Sequence, residues 1–167
     1  MAMISDKDRD YIKKAFEEIP SGKVTAVVFT EGLDGAGAKG AGGASGPAGD
    51  ESAASQDCEY CAEMKGLFEE LATISDKMTA QFYDLHSDAE KAKEYGVDRA
   101  PAAIILDPEG KDRGVRFYGF PGGYEFASLI AGITDVGKGE GKLSAETKAA
   151  LKTITSPVKI NVFVTPT

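Results

Sequence analysis

Between Ser5 and Pro20 the apolar residues Tyr11, Ile12, Ala15, Phe16 and Ile19 recur at helical spacing and form one stripe. Ser5 with Asp8 three positions on is a weak capping box, and Pro20-Ser21-Gly22 predicts the end of this helix. Val24 to Thr30 then runs apolar and β-branched without alternation, as a strand covered on both faces does. Met64, Leu67, Phe68, Leu71 and Ile74 predict a second helix, with Cys61 on its apolar face and Cys58 at its start. Met78 to Leu85 reads as a strand, Ser87 to Tyr95 as a short helix stopped by Gly96, and Ala102 to Asp107 as another buried strand. Asp107-Pro108-Glu109-Gly110 predicts a turn, followed by a strand around Gly114 to Tyr118. Tyr124, Phe126, Leu129, Ile130 and Ile133 then mark a helix. Strands and helices in this order require an α/β architecture, a central mixed sheet with helices on both faces.

Two stretches stand apart from that pattern. Glu31 to Asp57 holds eight Gly and seven Ala in 27 residues with no periodicity, and reads as a flexible insertion. Gly35 to Gly40 inside it matches G-x-G-x-x-G after a strand, but no helical pattern follows and the composition alone generates the match. Lys39 is not preceded by glycine, so there is no P-loop. Beyond a linker at Gly137 to Lys142, Ser144 to Ile154 predicts a helix and Val158 to Val164 a strand. Val158-Lys159-Ile160-Asn161-Val162-Phe163 repeats the pattern of Val24-Thr25-Ala26-Val27-Val28-Phe29 at an offset of 134 residues. A helix, a turn and a valine-rich strand therefore occur twice, the mark of a second unit beginning.

The balance of 19 basic against 27 acidic residues, a net charge of -8, argues against nucleic acid, which would select a basic stripe. No apolar run approaches a membrane span, and Met1 to Asp10 is too charged for a signal peptide, so a cytoplasmic protein with no membrane partner is the expectation.

Cys58 and Cys61 are the chain's two cysteines. A bridge between them closes almost no loop and so constrains the unfolded chain little, which favours a catalytic or metal-binding pair over a structural one. Half a zinc site would need two further ligands, and His86 is the one histidine, so no metal or other cofactor is expected. A redox-active dithiol is the stronger reading. Thiolates attack disulfides, and a cysteine at a helix N-terminus is the one favoured to ionise. Cys58 is thus the expected attacking residue, and Cys61, one turn in and desolvated, the resolving one. Asp57, Glu59 and Glu63 surround the pair with negative charge, which disfavours the thiolate and makes the couple more reducing. His86 reads as a solvated residue at a strand end, and Phe117, Tyr118, Phe120, Tyr124 and Phe126 as core and loop packing.

With Cys58-Glu59-Tyr60-Cys61, Ala100-Pro101 and Arg116-Phe117-Tyr118-Gly119 in hand, the chain resembles the glutaredoxin-like protein disulfide oxidoreductases, which join two thioredoxin units. Ser75-Asp76-Lys77, Gly122 to Leu129 and the closing Val162 to Thr167 also resemble that family. The resemblance implies a thioredoxin-like fold, disulfide exchange with protein thiols and disulfides, and a thioredoxin-reductase-like electron donor. It implies redox roles for Cys58 and Cys61 and a cis peptide before Pro101, and it places Glu59, Tyr60, Ala100, Pro101 and Gly119 at the substrate. The expected organisation is a redox domain over 1–136 with its insertion at 31–57, a linker over 137–143, and the start of a second unit over 144–167. Three departures stand out: a second cysteine pair is absent from this sequence, the long insertion is atypical, and Val24 to Thr30 lacks the buried acid that thioredoxins carry there, leaving proton transfer at Cys61 to water or Glu63. The peroxiredoxin-reducing flavoprotein has a similar tandem layout with no cysteines in its first unit, so an electron-delivery module for a peroxidase is the runner-up. A non-catalytic peptide-binding domain is the third reading.

Overall fold

The computed structural model describes residues 3–32 and 58–163. The elements run α1 (Asp6–Glu17), β1 (Val24–Thr30), α2 (Cys61–Ile74), β2 (Met78–Asp84), α3 (Ala89–Tyr95), β3 (Ala102–Leu106), β4 (Asp112–Tyr118), α4 (Tyr124–Lys138) and α5 (Ala145–Leu151). The strands form one mixed sheet in the order β2-β1-β3-β4, with β1 and β2 parallel and the other two pairings antiparallel. The insertion expected over 31–57 lies outside the described residues from position 33 onward.

The alternation of side chains along β1 and β3 splits the core into two layers. Val24, Ala26, Val28, Ala103 and Ile105 face α1, α2 and α4, meeting Ile12, Phe16, Met64, Phe68, Leu71 and Ile130. Val27, Phe29, Ala102, Ile104 and Leu106 face the opposite way and are covered by Ala92 of α3, Val97 and Tyr95. Both faces of β1 and β3 are buried, which is why neither strand shows a polar alternation in sequence.

α1 begins as expected, with the Ser5 hydroxyl accepting from the Asp8 amide at 3.2 Å. α4 extends past the expected boundary to Lys138 and stops at Gly139 in a left-handed conformation, so the expected linker start, Gly137, is helical and buried. A Cβ at Gly137 would come within 2.8 Å of both Ile19 and Val24, so the missing side chain is what lets α4 approach the sheet. The strand expected over Val158 to Val164 is not formed across 158–163, where every residue is exposed. A strand is held by its neighbours' hydrogen bonds, and among the described residues none pairs with this one. No described helix is long and apolar enough to cross a membrane.

Candidate redox site

β1 ends at Thr30, β3 starts at Ala102 and β4 ends at Tyr118, and their register puts all three termini at one end of the sheet. Phe29 lies opposite Ala102, and Ala102 opposite Tyr118. The cysteine-bearing turn meets the same end, because the Glu31 amide just after β1 donates to Cys61 Sγ at 3.2 Å.

Cys58 and Cys61 form a disulfide with Cα atoms 5.6 Å apart. Their placement corrects one expectation. Cys58 is not in α2 but in the turn before it, and Cys61, expected one turn in, is the first helical residue. The reason is Tyr60, the N-cap, which takes a left-handed φ of 72° and so breaks the helix between the cysteines. Cys61 is 3% exposed and Cys58 half-buried, so the asymmetry in access runs as the sequence suggested. Glu63, suggested as a proton carrier for Cys61, is exposed on α2.

Of the groups expected at the substrate, Glu59 and Tyr60 are in this turn, and Ala100, Pro101 and Gly119 adjoin the strand ends at the same end of the sheet. Glu59 is exposed, and through a hydrogen bond and its charge it pushes the Tyr60 phenol above its usual range. Ala100–Pro101 is a cis peptide, with Ala100 half-buried and Pro101 buried. Gly119, at a φ of 79°, donates its amide to the Pro101 carbonyl at 2.9 Å, tying the loop after β4 to the loop before β3. Beside them Arg99 lies over the Tyr118 ring, 4.8 Å from its centroid.

Sequence reasoning missed three residues. Asp84 Oδ1 accepts from the amides of His86 at 2.9 Å and Ser87 at 2.8 Å, while Oδ2 accepts from Gly32 at 3.1 Å. Burial opposes ionisation of Asp84, but these amides and the Ser87 hydroxyl outweigh it and hold the carboxyl below its usual range. Asp84 thereby fixes the exit of β1, which carries the Glu31 amide to Cys61. Glu31 itself was assigned to the insertion; its carboxylate is largely buried and lies 3.4 Å from His86 Nε2. Phe120, read as loop packing, stacks on Tyr60 with ring centroids 6.3 Å apart and planes at 17°. An aromatic between the cysteines and another just after Gly119 were the signals available for that contact. Among the described residues no group of His, Cys, Asp and Glu is arranged to hold a metal ion.

No family model matches the chain. Among solved structures, the alkylhydroperoxide reductase AhpF from Enterococcus faecalis aligns with a TM-score of 0.67 at 22% identity, over 89% of this chain and 59% of that one. A protein disulfide oxidoreductase from Aeropyrum pernix aligns with a TM-score of 0.65 at 23% identity, over 92% of this chain and 56% of that one. The fold is thioredoxin-like. Among curated proteins, the F subunit of alkyl hydroperoxide reductase from Xanthomonas campestris pv. phaseoli is 36% identical over 97 residues, 58% of this chain and 15% of that protein. The Pseudomonas aeruginosa protein of the same name is 31% identical over 102 residues, 61% of this chain and 17% of its own length. The chain thus spans under a fifth of the curated relatives it matches. The similarity read from the sequence, to glutaredoxin-like tandem thioredoxin-fold proteins, agrees with both kinds of relative.

Proposed function

We propose that this chain is a thiol–disulfide oxidoreductase that exchanges disulfides with protein substrates through Cys58 and Cys61. The observation that carries this reading is the unequal pair itself: a disulfide whose Cys61 sulfur is buried under the Glu31 amide and whose Cys58 stands in the open turn. In the reductive direction the Cys58 thiolate attacks one sulfur of a substrate disulfide. A Cys58–substrate bond forms, and the other substrate sulfur leaves as a thiolate that takes up a proton. Cys61 then gives up its proton and attacks the Cys58 sulfur, closing the disulfide and releasing the second substrate thiol. Two electrons and two protons have passed to the substrate, and a donor dithiol of the thioredoxin-reductase type restores the pair.

Glu59 and Tyr60 flank the attacking sulfur, and Ala100, Pro101 and Gly119 offer the opposite side to an extended substrate segment. The Gly119 amide is already engaged by the Pro101 carbonyl, so Gly119 has its carbonyl rather than its N–H to offer such a segment. In the reduced protein Cys58 should alkylate faster than Cys61, Cys61→Ser should accumulate mixed disulfides with substrate, and Cys58→Ser should accumulate none. Equal alkylation of the two sulfurs overturns the roles. Reduction of insulin with dithiothreitol, lost in Cys58→Ser, separates this reading from a peptide-binding domain with incidental cysteines.

A second reading, electron delivery to a hydroperoxide-reducing partner, is favoured by the names of the curated relatives. It uses the same chemistry with a peroxidase disulfide as the substrate. Faster reduction of a peroxidase disulfide than of insulin would select it.

A further inference from the structure

A cavity of about 250 Å³ opens between the N-terminal segment, α2 and the loop from β4 to α4. Its walls are Met3, Ile4, Leu67, Phe120 and Phe126, and Asp8 is the sole ionisable group among its lining residues. That volume is below the roughly 300–1,000 Å³ of small-molecule sites, and it suits one side chain better than a cofactor. Nothing in the exchange chemistry uses this space, yet one of its walls touches the residue between the cysteines. Phe120 forms one wall, and the same ring stacks on Tyr60, the residue between Cys58 and Cys61. Phe120 also directly follows Gly119, whose amide holds the Pro101 loop.

The walls are fixed rather than collapsed. A Cβ at Gly122 would lie 2.7 Å from the Phe120 ring, so the ring rests on bare backbone there and leaves the space beside it open. On the far side, Glu70 of α2 accepts from the Met3 amide at 2.7 Å and the Ile4 amide at 3.4 Å, and it pairs with Arg9. The N-terminal segment is thereby anchored to the helix that carries Cys61.

We propose that this cavity is a specificity pocket for a large apolar side chain of the substrate polypeptide, placed a few residues from the cysteine that Cys58 attacks. The inference rests on the disulfide-exchange reading, and it adds a substrate class to it: protein disulfides flanked by Leu, Met or Phe. The occupant is a substrate chain because the half-buried Phe120 wall stacks on Tyr60, which is exposed and lies two residues from the attacking sulfur, so a polypeptide docked at Cys58 has the pocket within reach.

Peptides bearing one cysteine, capped as a mixed disulfide with 2-mercaptoethanol, test it when a single Leu is stepped through four positions on either side of an otherwise Ala background. At one position Leu should raise kcat/KM over Ala by about tenfold or more, chiefly through KM, since apolar pockets discriminate by roughly 10–200-fold per methylene. The Leu-to-Ala ratio should fall to about one in Phe126→Trp and in Met3→Trp, which fill the pocket from opposite walls and whose folding is checked by circular dichroism. Equal rates for all positions in the wild type, or a ratio unchanged in a folded pocket-filling variant, overturns the proposal. Fluorescein-labelled peptides with Ser replacing Cys read binding alone. If no disulfide is reduced but the Leu peptide still binds about tenfold tighter than the Ala peptide, the exchange reading fails and the pocket stands. Self-association of the wild type that Phe126→Trp abolishes would assign the space to a second copy instead, and also overturns the proposal.

Discussion

At the scale of single residues, the site is a set of backbone groups and charges arranged about two sulfurs. Glu59 stands exposed in the turn between them, where its anion disfavours the Cys58 thiolate and so the reduced form. Glu59→Gln should raise the reduction potential by up to about 30 mV, a tenfold change in the equilibrium constant of a two-electron couple. Because the group is exposed, the shift should shrink with added salt. Equilibration with glutathione at two ionic strengths measures both effects, and a fall in potential would reverse the argument. Glu70 works in the opposite sense, as an anchor. Burial opposes its charge, but the Met3 and Ile4 amides and Arg9 hold the carboxyl below its usual range. A carboxyl lowered in the folded state contributes stability above its unfolded value and loses it as pH falls through the folded one. Protection of the Met3 and Ile4 amides from exchange should therefore decline on acidification below the ordinary glutamate range, and Glu70→Gln should flatten that decline. The cysteines were legible in the sequence because their spacing and chemistry are local, whereas the cis bond before Pro101 came only through the family resemblance, since an isolated X–Pro bond favours trans. Glu31, Asp84 and Phe120 were not legible, because their roles come from contacts across the sheet end: Gly32 with Asp84 over 52 positions, and Tyr60 with Phe120 between separate loops.

At the scale of elements, the buried strands and apolar helix stripes were readable because burial on a pleat or a helix face leaves a periodic trace. What periodicity does not encode is a break in backbone geometry. The apolar stripe of α2 runs back through Cys61, so it gave no sign that Tyr60 turns left-handed and leaves Cys58 outside the helix. The same limit hid the end of α4, where Gly137 looks like a linker glycine and is a contact surface. Two glycines make this testable. Gly22, at a φ of 73°, would place a Cβ 2.6 Å from Pro108, so Gly22→Ala meets both backbone strain and a clash with the β3–β4 turn. Gly137→Ala gains helix propensity but drives a methyl into Ile19 and Val24, which are fully packed. Each should lower stability by about 1–3 kcal/mol in urea unfolding. A neutral or stabilising Gly137→Ala would show that α4 can shift outward without loss.

At the scale of the whole molecule, the described chain divides into a packed part and an unpacked one. Everything through α4 shares the two-layered core. α5 has no buried residue, and beyond it Val158, Ile160, Val162 and Phe163 are 64%, 79%, 78% and 92% exposed. Exposed apolar residues in an alternating β-branched run are an aggregation hazard unless another strand covers them. The tandem organisation expected from the sequence would supply the cover: were residues 144–167 part of a second thioredoxin-like unit, that unit's own sheet would flank Val158 to Val164. On that reading the segment contributes nothing to the first unit. Deleting 144–167 should then shift Tm by less than about 2 °C, since a change of 1 kcal/mol moves domains of this size by more than that. Cys58 alkylation should be unchanged and aggregation reduced. A large loss of stability would mean that the strand completes the first sheet, beside β2 or β4 at its open edges, and the tandem reading would fall with it.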